Sequence, residues 1–101
     1  MREITCSTIT DAIKKMCIEA ATILPQDVEK ALSQKHDEED SALAQKTLQV
    51  LMDNAKLAQE KQMPICQDTG MAFVYVTMGQ EVHITGGSLN EAIQEGVRQG
   101  Y

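Results

Sequence analysis

The chain has 101 residues, of which 43% are hydrophobic, and its formal net charge is −6. A chain of this length forms at most one domain and hides roughly two thirds of the surface that its unfolded form exposes. The acidic balance opposes binding to nucleic-acid phosphates, which requires clustered lysines and arginines. The longest apolar run, residues 71–76, is far shorter than the roughly 20 residues of a membrane helix. We therefore expect a cytoplasmic, soluble protein that binds neither nucleic acid nor membrane.

The three cysteines, Cys6, Cys17 and Cys66, are widely spaced and contain no CxxC pair. An odd number at this spacing indicates neither a disulfide framework nor a self-contained zinc site. Cys17 lies beside the apolar stripe of the first predicted helix, where a free thiol acts as a small hydrophobic side chain. Cys6 precedes that helix and has no partner that the sequence identifies.

Three helices are predicted in the first part of the chain, because apolar residues recur there at helical spacing. The first occupies "STITDAIKKMCIEAATIL", begins at a capping box formed by Thr8 and Asp11, and ends at Pro25. A shorter second helix fits "QDVEKALSQKHDEED". Ser41 can cap a long third helix that runs to about Gln62.

The pattern changes after the third helix. Pro64 disfavours helix at the residue before it, so "PICQDTG" is predicted to be an exposed connection. The next stretch, "MAFVYVTM", has a period of two, and Gly79-Gln80 can form a tight turn into "EVHIT". This combination predicts a β-hairpin. Ser88 and Glu91 form a second capping box, which opens a last helix that Gly96 weakens.

The predicted fold class is α+β: about three helices, then a β-hairpin and a C-terminal helix, within a larger fold. We expect one partial domain over residues 1–101, with a helical part at 1–62, a motif loop at 63–70, and the hairpin and last helix at 71–101. Two strands alone are marginal as a sheet. The strand edges are therefore expected to find partners elsewhere.

The two histidines give weak functional signals. His36 lies among charged residues and is interpreted as a surface imidazole. The acidic run at residues 37–40 is interpreted as a solvated helix end, since calcium loops alternate their ligands and include a turn glycine. His83 alternates with Val82 and Ile84, so its side chain points either to solvent or to a site.

The stretch "CQDTG" is the strongest candidate for chemistry. Cys66, Gln67 and Asp68 place a thiol, a carboxamide and a carboxylate side by side. Around one point they would offer a metal ligand, a hydrogen-bonding group and a proton donor. The alternative is that residues 68–70 are ordinary turn residues and the thiol is buried. The residues themselves do not decide between these two interpretations.

"PICQDTG", together with the preceding "NAKLAQEKQM" and the following "VHITGGSLNEAI", resembles the N-terminal part of the α region of class I, iron-sulfur-dependent fumarate hydratases. L-tartrate dehydratases are related to these enzymes. The resemblance covers nearly the whole chain. It implies that Cys66 is one of three thiolate ligands of a [4Fe-4S] cluster whose fourth iron binds substrate. It also implies that Gln67 and Asp68 bind a dicarboxylate substrate, with Asp68 as the catalytic proton carrier.

The same resemblance implies a hydro-lyase that interconverts fumarate and malate, or else tartrate dehydration. Such enzymes need two further cluster cysteines, substrate-binding arginines and a separate C-terminal region, all downstream of the motif. We therefore expect a fragment of a homo-oligomeric enzyme, inactive alone, whose partners are the rest of the α region and the C-terminal or β region.

Two other functions stay open. One is a small non-enzymatic interaction domain in which "CQDTG" is a plain turn. The other is a redox-sensing thiol at Cys66, which is less favoured because a carboxylate at Asp68 would raise the pKa of that thiol.

Overall fold

The computed structural model describes residues 1–65 and 71–101. Their elements run in the order β1, α1, α2, α3, β2, α4, with the bounds Arg2–Thr5, Cys6–Thr22, Gln26–Glu38, Ala42–Lys61, Val82–Thr85 and Leu89–Gly100. The chain divides into two compact units. We call Met1–Glu19 with Thr69–Tyr101 the strand unit, and Ala20–Asp68 the helical unit.

In the strand unit, β1 and β2 pair in parallel, and a helix follows each strand: α1 begins at the next residue after β1, and α4 begins after a three-residue connection. The paired residues Ile4 and Ile84 are half-buried, whereas their neighbours Glu3 and His83 are both exposed. This alternation follows from the two-residue period of a strand. The sheet therefore has one apolar face, next to α1 and α4, and one polar face.

The strand pairing differs from the predicted hairpin. Residues 71–79 adopt no regular secondary structure, and β2 is hydrogen-bonded to β1 instead. The amide of Val82 does donate to the carbonyl of Gly79 at 3.3 Å, so a turn is present where one was predicted. A period-two pattern indicates that a stretch has the composition of a strand. It does not specify which other strand that stretch pairs with.

Helices α1 and α4 make the closest packing contact of the strand unit at Gly96. A Cβ atom placed on Gly96 would lie 2.6 Å from the Cβ of Ile13 and 2.8 Å from the carbonyl oxygen of Thr10. The hydroxyl of Thr10 donates to the carbonyl of Ala92 at 2.9 Å, one turn away on α4. The glycine that weakens α4 as an isolated helix is thus the residue that lets it approach α1.

The helical unit contains α2 and α3, which pack against each other. Ser41 caps α3 by accepting from the amide of Ala44, and Ser88 caps α4 by accepting from the amide of Glu91. Both predicted caps are confirmed. The predicted cap of the first helix is wrong, because α1 begins at Cys6 and the amide of Thr8 donates to Thr5 at 3.3 Å. The α+β fold class is confirmed by the described residues.

We predict that Gly96→Ala destabilises the chain. Alanine gains about 1 kcal/mol of helix propensity over glycine, but overpacking against immovable atoms costs about 1–3 kcal/mol. Two of the three short contacts involve the Cβ atom of Ile13 and a backbone oxygen, so a rotamer change cannot relieve them. Urea unfolding should show a net loss of up to about 2 kcal/mol.

The matched control is Gly79→Ala. The nearest atom to a Cβ at that position is the Cγ2 of Val82, at 4.0 Å, so the free energy of unfolding should change by less than about 0.5 kcal/mol. A stable Gly96→Ala protein would show that α1 and α4 can separate at no cost.

Candidate functional site

The three predicted site residues, Cys66, Gln67 and Asp68, lie outside the described residues, as do Thr69 and Gly70. The structure does describe how the chain reaches this motif. On the N-terminal side the approach is the end of α3 and the stretch through Ile65. The backbone hydrogen bonds of this approach fix the position of Ile65, the residue before the motif cysteine.

Helix α3 ends in a left-handed residue. Gln62 has φ 54° and its amide donates to the carbonyl of Ala58, and the amide of Met63 reaches the same carbonyl at 3.0 Å. This is the hydrogen-bond pattern of a Schellman-type helix end. Two residues later, the amide of Ile65 donates to the carbonyl of Ala21 at 2.7 Å, in the last turn of α1. The residue before Cys66 is therefore fixed to a helix by its backbone.

We predict that Gln62→Gly stabilises the helical unit by about 0.5–1 kcal/mol, because glycine adopts a positive φ without the Cβ clash. Gln62→Ala is the matched control: it keeps the Cβ and loses the side-chain bond from Nε2 to the carbonyl of Gln59, so it should not stabilise. Thermal unfolding of the three proteins measures the difference. Equal midpoints for the glycine and alanine variants would contradict the assigned strain.

The two described cysteines are free and half-buried. The thiol of Cys6 donates to the carbonyl of Ser88 at 3.7 Å. A Cβ atom on Gly100 would lie 2.7 Å from the Cβ of Cys17, so Cys17 occupies the contact between α1 and α4. This placement agrees with its interpretation as a packing residue.

The histidines take the positions that their sequence context suggests. His83 lies on the polar face of the sheet and is exposed, beside Glu3 in the register. The Nδ1 atom of His36 lies 3.2 Å from a carboxylate oxygen of Asp37, on α2. In the part of the chain that the structure describes, neither imidazole belongs to a group of three or more histidine, cysteine or acidic side chains that could hold a metal ion.

The pKa of one α4 carboxylate is strongly lowered. Arg98 donates to both carboxylate oxygens of Glu95, one of them at 2.8 Å from Nε, and Gln99 donates at 2.9 Å. Hydrogen bonds from Arg98 first, and then from Gln99, lower the pKa of Glu95 to about 2. The same pairing raises the pKa of Arg98. Glu95 and Arg98 are three residues apart on α4, so they form an ion pair on the surface of one helical turn.

An iron-sulfur cluster needs several thiolates around one point. Within residues 1–65 and 71–101, no three histidine, cysteine or acidic side chains come together as metal ligands. With Cys66 as the one further thiol, these residues do not fit a complete cluster site. We derive no chemical step through a cluster held by this chain alone.

Two features of this region have no sequence signal that we can identify. β1 is four residues long and carries charges at Arg2 and Glu3, and its sequence pattern did not predict a strand. The bond between Ile65 and Ala21 uses backbone atoms alone, and backbone bonds between distant residues leave no mark on residue type. Only knowledge of the tertiary fold could have revealed either one.

Comparison with known proteins identifies the family. The family model described as fumarate hydratase (Fumerase) matches residues 10–101, which include the motif. The chain belongs to this family. A comparison with solved structures gave no significant match. Among the described residues, no helix has both the length and the apolar character needed to cross a bilayer.

Curated relatives come from both branches of the family. A Methanocaldococcus jannaschii protein assigned as an L(+)-tartrate dehydratase α subunit is 36% identical over 92 residues, which is 90% of this chain and 32% of that protein. A Geobacillus stearothermophilus protein assigned as a class I fumarate hydratase is 31% identical over 88% of this chain and 17% of its own length. The L(+)-tartrate dehydratase α subunit of Escherichia coli K12 is 28% identical over 86% and 30%. The chain thus spans a third or less of each of these relatives.

Proposed function

We propose that this chain is the N-terminal segment of the α region of a hydro-lyase, which adds water reversibly to a four-carbon dicarboxylate, with fumarate and malate as the pair. The observation that carries this proposal is the family match over residues 10–101, a range that contains "PICQDTG". In this proposal the chain alone is inactive, because a [4Fe-4S] cluster needs further thiolates besides that of Cys66.

The motif residues take three roles in the proposal. Cys66 supplies one of three thiolate ligands of a [4Fe-4S] cluster, and the other two come from polypeptide outside this chain. When bound, the cluster supplies a Lewis acid for the hydroxyl and carboxylate of the substrate. The carboxamide of Gln67 hydrogen-bonds a substrate carboxylate. The anchoring of Ile65 to Ala21 supports these roles, since a fixed approach limits where the motif can lie.

Asp68 carries the proton of the reaction. Hydration adds a hydroxyl group to one carbon of the double bond and a proton to its neighbour; dehydration removes both. A carboxylic acid at Asp68 gives its proton to carbon in the hydration direction and takes one back in the reverse direction. A positioned acid or base of this kind contributes about 10²–10⁴-fold to rate.

Tartrate is the second candidate substrate. The 36% identical relative is assigned as an L(+)-tartrate dehydratase α subunit, and tartrate is also a four-carbon dicarboxylate. Relatives named as α subunits support partner polypeptides for this chain, which in this proposal are the rest of the α region and the C-terminal or β region. A cytoplasmic, homo-oligomeric assembly is part of the same proposal. Assays with malate and with tartrate separate the two substrates.

A chimera provides the test: the M. jannaschii relative with its matched region replaced by this chain, reconstituted under anaerobic conditions. Cys66→Ser should lower its iron content and reduce its dehydration rate at least about 100-fold, since even ligand-supporting residues cost 10–100-fold. Cys6→Ser is the control, because Cys6 is a free, half-buried thiol outside the motif. Normal iron content and rate in Cys66→Ser would falsify the assignment of Cys66.

Asp68→Asn in the same chimera should keep the iron and lower kcat by about 10²–10⁴-fold. The pH profile of kcat should also lose the limb that reports the carboxyl group. Asp37→Asn, at a residue on α2 whose side chain is 78% exposed, should leave both unchanged. An unchanged pH profile in Asp68→Asn would assign proton transfer to another residue.

A further inference from the structure

Residues 71–78 expose an unusual amount of apolar surface. Tyr75 is 93% exposed and Phe73 71%. The remaining large apolar side chains of the stretch are exposed as well: Met71, Val74, Val76 and Met78. The stretch contains no charged residue. Isolated exposed apolar side chains are normal on a protein surface, but a continuous apolar stretch marks an interaction site.

The composition of this stretch is that of an interior strand. In an extended chain, Phe73 and Tyr75 lie on one side, and Val74 and Val76 on the other. β-branched and aromatic residues favour strands, and apolar side chains on both sides are typical of strands covered on both faces. The side that carries Phe73 and Tyr75 is largely exposed, and the side that carries Val74 and Val76 is partly exposed, at 39% and 53%. No strand among the described residues pairs with the stretch.

An apolar cavity of about 340 Å³ lies beside the end of this stretch, within the strand unit. Its walls include Ile4 and Ile84 from the sheet, Ile13 and Ile93 from the helices, and Met78. This cavity opens to solvent, so its apolar walls are exposed surface of the kind that marks an interaction site. Together with the unpaired strand-like stretch beside it, this exposed surface indicates that a covering element is missing.

Two observations indicate that the missing element is polypeptide of the same family protein. The described sheet has two strands, fewer than the about four to six of a typical sheet, so it has edges to which further strands can add. The related tartrate dehydratase α subunit has about two thirds of its length outside the region that matches this chain. That length is enough to supply several strands.

We propose that residues 71–78 become a β-strand by pairing with a strand from the part of the family protein that this chain does not span, and that apolar side chains from that part fill the cavity. The inference rests on the proposed function, in which this chain works as a segment of a longer hydro-lyase. Backbone hydrogen bonds then provide the affinity and the alternating apolar side chains the specificity, as in other cases of strand addition.

Hydrogen exchange tests the pairing directly. The amides of residues 72–78 should exchange at least about 100-fold more slowly in the chimera than in the 101-residue chain, because they gain hydrogen-bond partners. In the chimera, Tyr75→Lys and Val74→Lys should each make the amides of residues 72–78 exchange at least about tenfold faster, because a lysine in the stretch opposes its burial. In the 101-residue chain Tyr75→Lys should leave the unfolding midpoint unchanged, since Tyr75 is already exposed there.

Gln80→Lys is the matched control. It adds the same charge beside the stretch, at an exposed turn residue, and should leave exchange at 72–78 slow in the chimera. If the chimera or a variant does not fold, the part of the relative outside the matched region is purified separately and mixed with the 101-residue chain. Unchanged exchange at 72–78 in that mixture overturns the proposal.

Other occupants give different results, each of which overturns the proposal. If exchange at residues 72–78 slows as the concentration of the 101-residue chain rises, and sedimentation shows a dimer, the partner of this surface is a second copy of the chain. Slow exchange in the monomeric chain means that the strand already has its partner. A chimera with slow exchange at 72–78 but no dehydratase rate supports the pairing while contradicting the proposed function, so the two failures are distinguishable.

Discussion

The parallel pairing of β1 with β2 determines the arrangement of the strand unit. It joins residues near the start of the chain to residues in its last quarter, and a helix follows each strand after at most three residues. Parallel neighbours cannot be joined by a tight turn, so the connection between them has to be long. The pairing brings the helices that follow the strands, α1 and α4, onto the apolar side of the sheet. There, the close approach at Gly96 is possible because one of the two helices has no side chain at the contact.

Local signals account for what the sequence predicted well. The caps at Ser41 and Ser88 were predicted from residue type alone, because a hydroxyl three residues before a free amide is a short-range interaction. The first helix also shows why such signals compete. Thr5 and Thr8 are both able to cap, and the strand that precedes α1 selects Thr5 by fixing where the extended backbone ends.

Non-local signals account for what the sequence missed. A period-two pattern at 71–78 followed by a turn favours a hairpin, and the turn at Gly79 is present. The strand that follows this turn, β2, nevertheless pairs with β1. The four residues of β1 include two charged ones and give no strand pattern. The candidate site shows the same division. The types of Cys66, Gln67 and Asp68 suggested chemistry, and the resemblance gave them roles. The backbone anchor at Ile65, by contrast, depends on which helix end lies nearby.

Exposed apolar side chains of the chain are concentrated beside the motif that contains Cys66. Of the described apolar residues, Ile13 and Ala92 are buried in the strand unit and Ala58 is buried in the helical unit. Sixteen large ones are exposed, six of them in residues 71–78. Small chains bury a smaller fraction of their surface than large chains do, but they do not normally concentrate the apolar side chains that remain exposed in one uncharged stretch. The stretch begins directly after the motif that contains Cys66. Any polypeptide that pairs with residues 71–78 would therefore also come close, along the chain, to the motif. In the proposed function, this one contact completes the sheet and brings the remaining cluster ligands and substrate-binding groups near the thiol of Cys66.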